Sequence, residues 1–195
     1  MDDTAPGDTH ARIRQVALEL FTEQGYEKTA LREIAERLGV TKAALYYHFK
    51  SKEEIVESFV QEAVADIDEL IDWFSTQPRT LAARQDFLRR YAATLGSGRH
   101  QALTRFFLNN QAVMQHMKAG MLMRTRFIGL LRLMIDPDAP LADQLRTALA
   151  VWALNSGTFI LRDAGASLEE IQAAALEVSL EMLERAAAGS PQPAG

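Results

Sequence analysis

Between Thr29 and Lys52 the chain reads TALREIAERLGVTKAALYYHFKSK, and the spacing of its apolar residues leaves little choice of local fold. Leu31, Ile34, Ala35 and Leu38 recur at i, i+3, i+4 and i+7, which is one face of a helix, and Gly39 supplies the positive φ that ends it. Val40 fills the turn. Thr41 is placed to cap a second, shorter helix whose Leu45 and Phe49, four apart, turn back onto the first. The pattern predicts a helix-turn-helix. Ala43 and Tyr47 then point away from that packed face, with Ala44 and Tyr46 flanking them and Lys42 near the helix start.

Small residues followed by tyrosines and a histidine suit the B-form major groove. The groove admits one α-helix and is read by residues near its N-terminus, where alanines allow close approach and can touch thymine methyls. Tyr46, Tyr47 and His48 can donate to phosphates, while Lys50 and Lys52 add charge that makes binding salt-dependent. The alternative is an amphipathic core helix with solvated tyrosines. Two adjacent aromatics on an exposed face would then carry a hydration cost with no folding return.

With the helix before it, this segment resembles the DNA-binding domain of TetR-family transcriptional repressors. The matching residues are Phe21, Gly25-Tyr26 closing a first helix, Thr29 opening the second, Ile34-Ala35, Leu38-Gly39-Val40, and Leu45-Tyr46-Tyr47-His48-Phe49 with Lys52. Together with the whole of the preceding helix, the resemblance covers about a quarter of the chain. The resemblance implies that Thr29, the tyrosines, His48 and Lys52 contact phosphates and that Lys42, Ala43 and Ala44 approach bases. The candidate DNA-binding set is therefore Thr29, Thr41, Lys42, Ala43, Ala44, Tyr46, Tyr47, His48 and Lys52. The partners expected are double-stranded operator DNA, a small-molecule effector and a second copy of the chain.

A chain of 195 residues with 48% hydrophobic content can bury a core, and no stretch alternates in the manner of paired strands, so the expected class is all-α. No apolar run reaches the ~18 residues that span a bilayer, and the acidic start MDDTAPGDTH is unlike a signal peptide, which leads us to expect a cytoplasmic protein. The absence of cysteine excludes disulfides, thiolate metal sites and cysteine nucleophiles. A net charge of -5 argues against nucleic acid until its distribution is read: Thr9 to Lys52 carries eight Lys/Arg against five Asp/Glu, and the remainder thirteen against twenty-one. A basic head on an acidic body fits a DNA-binding module joined to something else.

Residues 1 to 8 read as a disordered tail, with Asp8 or Thr9 capping a helix whose Ile13, Val16, Ala17, Leu20 and Phe21 form one face up to Gly25. Residues 9 to 52 would form the DNA-binding domain and 53 to 188 an effector-binding and dimerisation domain, with a tail from 189 to 195. Ser51 and Glu54 form a capping box opening a long helix to about Phe74, which at ~1.5 Å per residue spans about 35 Å. Such a helix is a candidate lever and equally a plain connector. Further helices are expected at about 80 to 95, 99 to 110, 112 to 135, 140 to 163 and 168 to 187, with an ill-defined boundary at Asn109-Asn110 and a second capping box at Ser167 and Glu170.

The last two helices carry more apolar surface than one core needs. Leu141, Leu145, Leu149, Trp152, Phe159 and Ile160 lie on a broad face of the first, and small Ala148, Ala153 and Gly157 would let another helix close in. The final helix has one stripe of Ile171, Ala175, Val178 and Met182 and another of Leu176, Leu180 and Leu183. We expect a four-helix dimer interface built from these residues, against the alternative of an internal helix in a monomer.

Aromatics and methionines populate the middle helices, and Phe87, Tyr91, Arg105, Phe106, Met117, Met121 and Phe127 are candidates for an adaptable effector pocket, although such residues most often form core. Met114 belongs to the same group. From Phe87 to Ile135 there are eight Arg/Lys and no Asp or Glu, while Glu53 to Asp72 supplies eight acids. The cations therefore either pair with the long helix or, at Arg105, Arg124 and Arg126, accept an anion. No catalytic motif occurs, and His10, His48, His100 and His116 have no metal-ligand spacing, so neither an enzyme nor a cofactor is expected. An effector-independent architectural DNA-binding dimer and a helical enzyme remain as alternative functions.

Overall fold

A computed structural model describes residues 6 to 110 and 117 to 189. Among them it holds α1 (Pro6–Gln24), α2 (Leu31–Leu38), α3 (Lys42–His48), α4 (Lys52–Ser75), α5 (Leu81–Leu95), α6 (Gly98–Asn109), α7 (Lys118–Met134), α8 (Leu141–Ile160) and α9 (Leu168–Gly189), and no strand. The all-α expectation holds. Residues 1 to 5 and 190 to 195 of the expected tails, and Met114 and His116, lie outside the described residues. Among the described residues no helix is long and apolar enough to cross a membrane.

Local chemistry accounts for several helix ends. Gly25 and Gly39 adopt φ of 92° and 71°, a region closed to most side chains, and so end α1 and α2. The Thr41 hydroxyl accepts from the Ala44 N–H at 3.1 Å, and Ser51 accepts from Glu54 at 3.2 Å. At α9 the capping box is reciprocal: the Ser167 N–H donates to the Glu170 carboxylate at 2.7 Å and the Glu170 N–H to the Ser167 hydroxyl at 3.2 Å. Two expectations need correction. Neither Asp8 nor Thr9 caps α1, because the helix already begins at Pro6, whose fixed φ and missing N–H suit a first helical position. Nor does Thr29 open α2, where the flanking residue is Ala30, its N–H donating to the Glu33 carboxylate at 2.7 Å.

The described helices form two compact units, residues 6 to 64 with 98 to 110 and 117 to 124, and 65 to 97 with 125 to 189. In the first, Ile13, Ala17 and Phe21 of α1, Ile34 and Ala35 of α2, Leu45 of α3, Ile55, Val56 and Val60 of α4 and Phe106 of α6 share one core. In the second, Phe87, Leu88 and Tyr91 of α5 pack with Leu130 and Met134 of α7, Ala150 and Val151 of α8 and Leu183 of α9. α8 and α9 approach closely at Gly157, where an added Cβ would stand 3.1 Å from that of Ala175, and the buried Ser179 hydroxyl donates to the Ala150 carbonyl at 2.7 Å. Each large apolar side chain so buried contributes about 1.5–3 kcal/mol relative to exposure.

Leu45 has 0% exposure and is the main anchor of the short α3. Leu45→Ala should therefore destabilise the chain by about 2–5 kcal/mol in urea unfolding. A loss below about 1 kcal/mol would mean that α3 is held by something else.

Candidate nucleic-acid interface

α3 has only seven residues, and its two faces are sharply different. Leu45 and Phe49 are buried in the core of the first unit, while Lys42, Ala43 and Ala44 are exposed and Tyr47 is 80% exposed. Tyr46 and His48 are half-buried at the edges. The Lys42 ammonium lies 5.3 Å from the Tyr46 ring centroid, and the Lys50 ammonium donates to the Tyr46 carbonyl at 2.7 Å. The His48 ring meets Tyr47 at 5.3 Å and His10 of α1 at 4.7 Å, both edge-on. Burial, followed by the nearby His48 and Arg14, lowers the His10 pKa. The outward surface is thus two small residues beside a lysine and a tyrosine, a shape that permits close approach to a groove floor and hydrogen bonds to its walls.

Two of the expected DNA-contacting side chains are turned inward. Thr29 is 1% exposed, its hydroxyl donating to the Gly25 carbonyl at 2.8 Å and accepting from the Gln24 amide at 3.2 Å, so it braces the turn between α1 and α2 and does not face outward. Lys52 bends back over the Tyr26 ring, 4.4 Å from its centroid, and donates to the Tyr26 carbonyl at 2.6 Å. Tyr26 also donates through its hydroxyl to Glu53 at 2.8 Å. Burial and this carboxylate push its pKa well above the usual tyrosine value. Glu53 is in turn held below the ordinary glutamate value, first by a hydrogen bond from its own backbone N–H and then by Tyr26 and Ser51, with partial burial opposing.

Asn110 was not singled out by its sequence context. It is 8% exposed, its side-chain oxygen accepts the Tyr26 N–H at 3.2 Å, and its amide donates to the Phe106 carbonyl at 2.9 Å. Phe106 lies 5.7 Å from Phe21 and 6.2 Å from Tyr26. The end of α6 thereby grips the turn that leads into the helix-turn-helix. The contact joins residues 84 apart, which no local periodicity can reveal.

Residues 13–59 match the family model for bacterial regulatory proteins of the tetR family. This segment is a TetR-family helix-turn-helix. The HTH-type transcriptional regulator AcrR of Shigella flexneri is 41% identical over 63 residues, which take in 32% of this chain and 29% of AcrR. The chain therefore matches less than a third of that relative's length. A TetR-family transcriptional regulator from Mesorhizobium loti superposes with a TM-score of 0.65 over 95% of this chain and 98% of its own, at 20% identity. A structure described as AibR in complex with isovaleryl coenzyme A and operator DNA gives a TM-score of 0.61 at 16% identity, over 86% of this chain and 95% of that one. At these identities the likeness shows the fold. The relatives named are transcriptional regulators and not enzymes.

Beyond the helix-turn-helix, the seven candidate effector residues are divided between the two units. Phe87, Tyr91 and Phe127 pack in the second unit, whereas Phe106 and Met117 belong to the core of the first and Met121 is exposed. Aromatic and methionine content does not distinguish core from pocket, and here most of it is core. Tyr91 donates to Asn155 at 2.7 Å, and burial raises its pKa to about 12. Arg126 pairs with Asp68 at 3.1 Å, which is the structural role weighed for the acid-free run, and Arg105 lines a cleft described below.

The dimer candidates also divide. Leu149, Trp152 and Val178 are exposed, and Leu176 and Met182 are half-buried against the core of their own unit. Ile171 requires correction, because at 4% exposure beside Gly157 it is covered by its own chain. Leu141 and Leu145, which the sequence places on the same broad face, extend the exposed stripe of α8 through Leu149 and Trp152 to Phe159 and Ile160.

Glu53 has a stability consequence with a definite sign. Its folded-state pKa is depressed, so its contribution is complete above the ordinary glutamate pKa and is lost as pH falls through the lowered value. Urea midpoints measured at about pH 6 and about pH 3.5 should show Glu53→Gln less stable than wild type at the higher pH, with the gap closing at the lower. A gap that does not depend on pH would show that the ionised carboxylate is not what stabilises the head.

Proposed function

We propose that the chain is a sequence-specific DNA-binding transcriptional regulator, a repressor that binds a pseudo-palindromic operator as a dimer and is released by a small-molecule effector. The observation that carries this reading is the outward face of α3, where Lys42, Ala43, Ala44 and Tyr47 stand clear of a core held by Leu45 and Phe49. In this reading residues 9 to 52 are the DNA-binding domain and 53 to 188 serve effector binding and dimerisation. Thr41, Tyr46 and His48 border the reading face, and the AibR complex, which holds both operator DNA and an acyl coenzyme A, is a precedent for one such fold serving both ligands.

The second copy is supported by exposed apolar side chains. Leu145, Leu149, Trp152 and Phe159 of α8 and Val178 of α9 are exposed, in a family of helical positions that a monomer would leave in water. A C2 dimer sets its two heads about 34 Å apart, so that both reach one face of the duplex in successive major grooves.

Two experiments test this reading. Selection of bound duplexes from a random pool should enrich a motif with two related half-sites. Lys42→Ala should change the preferred bases, and Tyr47→Ala should weaken binding on every sequence by about 1 kcal/mol. Recovery of no motif would contradict the proposal. Separately, Trp152→Arg or Val178→Arg should yield folded monomers in sedimentation with reduced DNA affinity, because each places an unpaired charge in a dry contact. If both variants remain dimers, the interface lies elsewhere.

A further inference from the structure

Facing small residues open a cleft inside the first unit. Ala11, Leu18 and Thr22 of α1 and Gly98, Ala102 and Arg105 of α6 follow helical spacing around it, and Phe59 of α4 completes its apolar wall. Its volume is about 670 Å³, enough for a small organic molecule. A Cβ at Gly98 would meet nothing within 4 Å, so the space there is open to an occupant.

The charges around the cleft select the class of occupant. Arg14 is paired with Glu62, Glu23 with Arg37 at 3.1 Å, and the Glu19 carboxylate accepts from the Gln15 amide at 3.2 Å. Arg105, by contrast, is exposed and has no ion pair among the described residues. We propose that this cleft binds a small amphipathic monocarboxylate, its apolar chain against Leu18 and Phe59 and its carboxylate on the Arg105 guanidinium. The planar fork of arginine matches a carboxylate in two parallel hydrogen bonds.

The cleft also has a mechanical connection to the head. Arg105 immediately precedes Phe106, and the residue just past the end of the same helix is the Asn110 that accepts the Tyr26 N–H. An occupant between α1 and α6 therefore acts on the contact that holds the turn into α2. This regulatory consequence rests on the effector-responsive reading above, whereas binding in the cleft does not.

Calorimetric titration of the full chain with hexanoate, octanoate and decanoate, and with octanol as an uncharged comparison, tests the site. At least one carboxylate should bind, Arg105→Gln should weaken it at least about tenfold, a loss typical of a charge-assisted hydrogen bond, and octanol should not distinguish the variant from wild type. Ala102→Phe, which fills the cleft, should abolish binding of acid and alcohol alike. Failure of all three acids to bind, or equal affinity in Arg105→Gln, overturns the proposal. The affinity for a selected duplex is measured in parallel. Binding that persists with DNA affinity unchanged overturns the connection to the head, and absence of any selected duplex counts against the regulator reading while the calorimetry still decides the site.

Discussion

α3 cannot support itself. Seven residues fall well below the roughly 12–15 at which an isolated helix becomes marginally stable, because the nucleation cost is spread over too few hydrogen bonds. The helix exists because Leu45 and Phe49 are buried in a core shared with α1, α2 and α4, and because Thr41 satisfies one of its free N–H groups. That dependence has a functional corollary. The residues needed for folding lie on one face, which leaves Lys42, Ala43, Ala44 and Tyr47 free to be chosen for what they touch outside.

Tyr26 is the second point on which the head depends. Its N–H donates to Asn110, its carbonyl accepts from Lys52, its hydroxyl donates to Glu53 and its ring packs on Phe21. One residue in the turn after α1 thus ties together α1, the start of α4 and the end of α6. Substitutions at Lys52 or Thr29 act on this turn first, so a loss of DNA affinity from either reports on the geometry of the head as well as on phosphate contact.

What could be read from the sequence was local. Thr41, Ser51 and Ser167 declare their helix starts through side chains that reach only three residues, and Gly39 declares an end through its own φ. Beyond the start of α1, the failures were matters of tertiary context. A threonine hydroxyl can face a phosphate or a carbonyl, and only the packed turn shows that Thr29 meets Gly25. On the final helix Ile171, Ala175 and Val178 read as one apolar stripe, but which of its residues face the chain's own core depends on where α8 lies, and Ile171 and Ala175 are buried while Val178 is exposed. Phe106 and Phe87 have similar local surroundings in sequence yet occupy different cores, and Asn110 looked like no more than a helix boundary.

The most direct measurement is methylation interference on a selected duplex. Dimethyl sulfate modifies guanine N7 in the major groove and adenine N3 in the minor groove, so it separates the two surfaces through which α3 could act. If the outward face of α3 enters the major groove, N7 methylation at guanines in each of two half-sites about one helical turn apart should block binding, and Lys42→Ala should relieve the block at particular guanines. Binding that is indifferent to N7 methylation and sensitive only to N3 methylation would contradict the account.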